Sequence, residues 1–102
     1  MITHVVMWTL KDAAEGRNKA VNAADMKARL LALPAKIACL REMRVAVAQE
    51  IFAAAPATDI VLYATFDTRE DLLAYAEHPA HQALVGFVKS ISVERRVVDF
   101  ES

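Results

Sequence analysis

The sequence predicts an α+β fold of the β-α-β-β-α-β kind, a four-stranded antiparallel sheet with its helices on one face. Three observations carry that prediction. Four segments alternate apolar and other residues with period two, two intervening stretches carry helical spacing, and no linker, repeat or low-complexity block divides residues 1–102. One domain is therefore expected.

The first strand reads from Ile2 to Leu10, with Ile2, His4, Val6, Trp8 and Leu10 on one face and Thr3, Val5, Met7 and Thr9 on the other. Lys11 to Gly16 reads as a charged connection. Helical spacing follows, with Val21, Ala24, Ala28 and Leu31 as the expected apolar stripe and a stop near Leu33 imposed by Pro34. A second strand is expected over Arg41–Gln49, with Met43, Val45 and Val47 on one side, and an Ala-rich loop runs through Pro56. The third strand, Asp59–Phe66, sets Ile60, Leu62, Ala64 and Phe66 against Val61, Tyr63 and Thr65. Asp67 or Thr68 then caps a helix carrying Leu72, Leu73 and Tyr75, with acids in its first turn, which suit the helix dipole. That helix breaks at His78-Pro79, a short helix follows from His81 to about Lys89, and Ile91–Phe100 closes the sheet.

Helices on one face leave Val5, Met7, Val61, Tyr63 and Val98 on the other. An apolar patch on the order of several hundred Å2 is seldom left wet by a soluble monomer. A two-fold homodimer packing sheet on sheet is the expected remedy.

Composition narrows the function classes. Twelve basic residues against 13 acidic ones give a net charge of −1, without the basic footprint of a nucleic-acid binder. The nearest cluster, Glu94-Arg95-Arg96, carries its own acid. Charge-free stretches such as Ile51–Thr58 fall far short of the roughly 18 apolar residues of a membrane span. Met1-Ile2-Thr3-His4-Val5 enters a strand directly, with no basic-then-apolar leader, so a cytoplasmic address is expected. The lone Cys39, between Ala38 and Leu40, forms no internal disulfide and reads as a buried inert thiol; no metal site is expected.

The distinctive string is Tyr75-Ala76-Glu77-His78-Pro79-Ala80-His81. In an unbroken helix Tyr75 and His81 would sit about 240° apart around the axis. Pro79 lacks an amide hydrogen and its ring clashes with the carbonyl of Tyr75, so the helix bends or stops. The phenol and the second imidazole can then converge on one cavity, with His4 approaching from the first strand. An imidazole exchanges protons near neutrality, and a phenol can hydrogen-bond the oxygen of a developing enolate. Together they suit proton abstraction beside a carbonyl without a cofactor. Structural roles stand beside this: a helix cap for His78, core-edge packing for Tyr75 and His81, strand packing for His4.

In Ile2-Thr3-His4-Val5-Val6-Met7-Trp8, Phe66-Asp67 with Leu72 and Ala74-Tyr75, His78-Pro79-Ala80-His81 and Val98-Asp99-Phe100, the whole chain resembles the stress-responsive A/B barrel (Dabb) family. The resemblance implies a ferredoxin-like subunit that dimerises sheet to sheet into an α+β barrel. It also implies a small apolar pocket between sheet and helices, in a family most of whose members have no assigned reaction. A minority resemble polyketide cyclases, which close poly-β-keto chains by intramolecular aldol chemistry. The match to those implies His81 as general base, Tyr75 as hydrogen-bond donor and His4 near the pocket. Val6, Trp8, Leu62 and His78 are the other residues expected around it, with room for a small apolar or carbonyl-containing ligand. A monooxygenase-like or haem-degrading α+β barrel is the third reading. Two departures bear on these: Leu33-Pro34-Ala35-Lys36 lacks the family's glycine after the proline, and Trp8 is bulky for a cavity wall, which favours a small ligand.

Overall fold

β1 (Ile2–Leu10) takes the shape its alternation predicts: Ile2, His4, Val6, Trp8 and Leu10 are buried, and Val5, Met7 and Thr9 are half-buried on the other side. The computed structural model describes residues 1–102. The charged connection after β1 is in fact a minimal hairpin, β2 (Ala13–Ala14) with β3 (Arg17–Asn18). Glu15 and Gly16 turn it with φ of 55° and 72°. Two successive positive φ values give the twist that suits a tight hairpin, and only glycine adopts them freely. Two-residue strands show no alternation, so the pattern is silent there.

Asn18 caps α1 (Lys19–Leu31), its Oδ1 accepting from the Val21 amide at 2.9 Å. The buried face of α1 is Asn22, Ala23, Met26 and Leu30 rather than the expected Val21, Ala24, Ala28 and Leu31, which are exposed. The helix is rotated by about one residue, roughly 100°. Asn22 explains the difference. Fully buried, it donates through Nδ2 to the Ala14 carbonyl at 3.0 Å, tying α1 to the hairpin. A count of apolar residues scores that position as solvent-facing.

Pro34 sits in a single 3-10 turn, Leu33–Ala35, after which Ile37 and Leu40 are buried. β4 (Glu42–Val47) is shorter than expected, because Ala48–Glu50 closes into another turn in which the Glu50 carboxylate accepts from the Val47 amide at 3.0 Å. β5 (Ile60–Phe66) buries Ile60, Leu62, Ala64 and Phe66 as predicted. Thr68 is the cap of α2 (Arg69–Glu77), accepting from the Asp71 amide at 3.1 Å. α3 (Pro79–Ile91) is longer than expected at both ends, since Pro79 takes the first helical position, where its missing N–H costs nothing. β6 (Ser92–Glu101) completes the chain. Cys39 is half-buried rather than buried, its thiol donating to the Asp71 carbonyl at 3.4 Å.

The sheet order is β4-β5-β1-β6, antiparallel throughout, so β1 lies in the middle and β6 at an edge. This is the ferredoxin-like α+β arrangement. The three helices cover one face, with the Arg29 guanidinium of α1 stacked 4.0 Å from the Phe87 ring centroid of α3. On the opposite face Val5, Met7 and Val61 are half-buried, and Tyr63, Val98 and Phe100 are exposed, the last two by about half. No helix is long and apolar enough to cross a membrane.

Candidate functional site

The break between α2 and α3 builds the site. Without an amide hydrogen on Pro79, the Tyr75 carbonyl accepts instead from the His78 amide at 3.2 Å, and α2 ends. His78 then caps α3, its Nδ1 accepting from the Ala80 amide at 3.0 Å. That leaves the Ala76 carbonyl without a helical donor. The His81 ring and the Gln82 side-chain amide take it, with Nδ1–H of His81 donating at 3.0 Å and Nε2 of Gln82 at 2.7 Å. One orphaned carbonyl thus fixes the orientation and tautomer of His81, leaving Nε2 as the basic nitrogen.

Tyr75, 2% exposed, and His81 stack with ring centroids 4.7 Å apart. Phe66 supports the phenol from the sheet at 5.1 Å, and His4 approaches its edge at 6.1 Å. His4 is itself held by Asp99, its cross-strand partner on β6, to which Nδ1–H donates. These groups border a cavity of about 270 Å3 between sheet and helices. Its wall contains His4, Val6, Trp8, Leu62, Tyr75 and His81. His78 is not on it; the imidazole is engaged as a cap, because a residue before proline takes the extended conformation that a helix N-cap needs (ψ 137°). Trp8 narrows the space without filling it, and its buried indole N–H has no protein acceptor.

Burial pushes the Tyr75 phenol up to about 12, so it stays protonated. Burial also pushes the His81 imidazole below its ordinary value; the Ala76 contact opposes this, and His4 and Arg95 add to it. At neutral pH the pair is therefore an uncharged base beside an uncharged donor. Such a pair can take a proton from carbon next to a carbonyl while the phenol hydrogen-bonds the oxygen that gains charge.

Sequence reasoning missed five residues of the wall: Leu30, hidden by the misplaced α1 face, Val85 and Val88 on α3, and the cations Lys89 and Arg95. Asp99 was legible only as a motif residue, because its contact with His4 depends on the β1–β6 register. A second hollow of about 320 Å3 lies between Leu72 and Phe100. Its cation Arg69 is neutralised by Glu101 at 3.1 Å, and no imidazole or phenol borders it. No group of three or more His, Cys, Asp or Glu side chains gathers anywhere in the fold.

A family model described as Stress responsive A/B Barrel Domain (Dabb) matches residues 2–102. Among curated proteins none matches. Among solved structures, a dimeric ferredoxin-like protein of unknown function from Bacteroides fragilis shares 31% identity, with a TM-score of 0.84 over 99% of this chain and 95% of that one. A dimeric ferredoxin-like protein of unknown function from Jannaschia sp. shares 27%, with a TM-score of 0.74 over 99% and 98%. Hydroxynitrile lyase from Passiflora edulis shares the fold alone, at 13% identity and a TM-score of 0.78 over 97% and 90%.

Proposed function

Since the chain belongs to the stress responsive A/B barrel family, we propose that it is a homodimeric, cofactor-independent enzyme that moves a proton beside the carbonyl of a small, largely apolar ligand. His81 acts as the base through Nε2 and Tyr75 as the hydrogen-bond donor to the oxygen. The observation that carries this reading is the stacking of Tyr75 on His81 at 4.7 Å on one cavity wall, with the His81 tautomer already fixed by Ala76. His4, held by Asp99, completes the polar end. The cavity favours short substrates: about 270 Å3 is room for roughly nine water-sized groups at about 30 Å3 each. An aldol or retro-aldol step is the reaction class, and a short-chain, cyclase-like closure is its most demanding form.

The dimer is supported by the apolar outer face of the sheet and by the two relatives above, both described as dimeric. Packing two such faces together covers Val5, Met7, Val61, Tyr63, Val98 and Phe100 and leaves each helix-side cavity intact.

The test is deuterium exchange. The protein is incubated in D2O with a panel of small ketones and β-keto thioesters, and exchange next to the carbonyl is followed by NMR. Exchange that the protein accelerates and that His81→Ala lowers by about 100-fold or more supports the reading, the scale of a positioned acid–base group. Absence of exchange across the panel, or exchange indifferent to His81→Ala, leaves a binding protein without this chemistry.

A further inference from the structure

Arg95 and Lys89 stand on the cavity wall without a carboxylate partner. Among the arginines Arg95 stands apart: Arg17, Arg29, Arg41, Arg44, Arg69 and Arg96 all pair with an Asp or Glu. Register explains the placement of Arg95. It is the cross-strand partner of Trp8 on β1, so both side chains rise from the helix-covered face, where Trp8 is buried and Arg95, on the edge strand, stays exposed. Lys89 reaches the same space from the last turn of α3, four residues after Val85, which also lines it.

The cavity is consequently amphipathic along its length. Two free cations mark the exposed end, Val6, Leu62, Leu84 and Val88 line the walls, and buried Tyr75 with half-buried His81 occupies the other end. Trp8 and Arg95 lie four residues along β1 from the His4–Asp99 pair, about 13 Å at the backbone, and a guanidinium spans part of that distance. A ligand that uses both ends carries its negative charge a few carbons away from its carbonyl. A guanidinium binds a carboxylate through two parallel hydrogen bonds, a fit that a diffuse apolar guest does not exploit.

We propose that the cavity takes short oxo acids, with the carboxylate held by Arg95 and flanked by Lys89, and the ketone set against Tyr75 and His81. This rests on the carbonyl chemistry proposed above and names its substrate class. 5-Oxohexanoate and its neutral isostere 5-oxohexanamide are the probes, since each matches the roughly nine-group capacity. Trp8, the only tryptophan and a wall residue, reports binding through its fluorescence whether or not turnover occurs.

The acid is expected to bind about tenfold more tightly than the amide, the scale of one charge-assisted hydrogen bond. That preference should shrink as salt rises from about 20 to about 500 mM, because the cations are exposed. Arg95→Met should abolish the preference and leave amide binding unchanged, and Arg95→Lys should retain part of it. Equal affinities in the wild type, silence from both probes, or an Arg95→Met protein that weakens both alike overturns the proposal. The outcomes separate it from the reaction: acid binding that depends on Arg95 without exchange leaves this site standing and removes the chemistry, whereas exchange on an amide bound as tightly as the acid does the reverse.

Discussion

Replacing Tyr75 by Phe separates the work of the hydroxyl from the work of the ring. The ring is 2% exposed and packs on Phe66 at 5.1 Å and His81 at 4.7 Å, contacts that phenylalanine retains. The hydroxyl borders the cavity and bonds to no protein group, its ionisation being shifted by burial and Arg95 alone. Its removal breaks no internal hydrogen bond and opens no void, so folding stability should change by less than about 0.5 kcal/mol. For a domain of this size that is a melting shift of at most about 4 °C. Catalysis should respond very differently. Loss of one donor to a developing oxyanion costs about 3–4 kcal/mol, a 10²–10³-fold fall in kcat. Tyr75→Ala is the control: emptying a ring-sized volume in the core should cost about 3–5 kcal/mol and lower the melting temperature by well over 10 °C. Exchange kinetics and thermal melts on the same preparations decide the matter. A Tyr75→Phe protein that keeps its exchange rate shows that the phenol is packing alone. One that melts like Tyr75→Ala shows that the hydroxyl holds the fold together through a hydrogen bond of its own.

Val5→Glu places a charge in the centre of the outer sheet face and should convert a dimer of about 22 kDa into single or aggregating chains; an intact dimer by light scattering would show that another surface mediates pairing. The pH profile of exchange should lose its acidic limb below the ordinary imidazole range near 6.5, because burial lowers His81 and the base is neutral only above its own value; a limb at or above 6.5 contradicts that. The same depression has a linkage consequence. As pH falls past the unfolded imidazole value the unfolded chain gains a proton that the folded chain refuses, so stability declines until the folded value is passed. His81→Asn should flatten that part of a stability–pH curve. Asn22→Ala should cost about 1–3 kcal/mol by denaturant midpoint, since it leaves the half-buried Ala14 carbonyl without its donor; a cost below about 0.5 kcal/mol would mean that water replaces it.

About half of the site is legible in the sequence. Tyr75 and His81 follow from local rules alone: proline ends a helix, and ending it redirects the residues on either side. The same rules placed His4, Val6, Trp8 and Leu62 on the covered face. His78 sits beside His81 in sequence but not on the cavity, because a residue before proline is suited to capping, which is its role. Arg95 escaped notice because its neighbours in sequence, Glu94 and Arg96, pair with each other at 2.9 Å on the opposite face, so the triplet reads as self-neutralised. Alternation along β6 separates the two faces, but which of them meets the cavity depends on strand pairing.

The sequence by itself determined the order of the four sheet strands and the helices, the apolar inner faces of β1, β4 and β5, the break at Pro79 and the greasy outer face that calls for a second copy. These rest on periodicity and on backbone chemistry that acts within a few residues. Tertiary structure alone decided which face of α1 is buried, that Asp99 holds His4, that Arg95 rises beside Trp8, and that the Ala76 carbonyl fixes the His81 ring. Each of these depends on bringing groups together across a register or a turn whose energy is shared among many contacts, such as Asn22 bonding a hairpin that no pattern announced. Local rules specify what a residue can do; packing specifies which partner it meets.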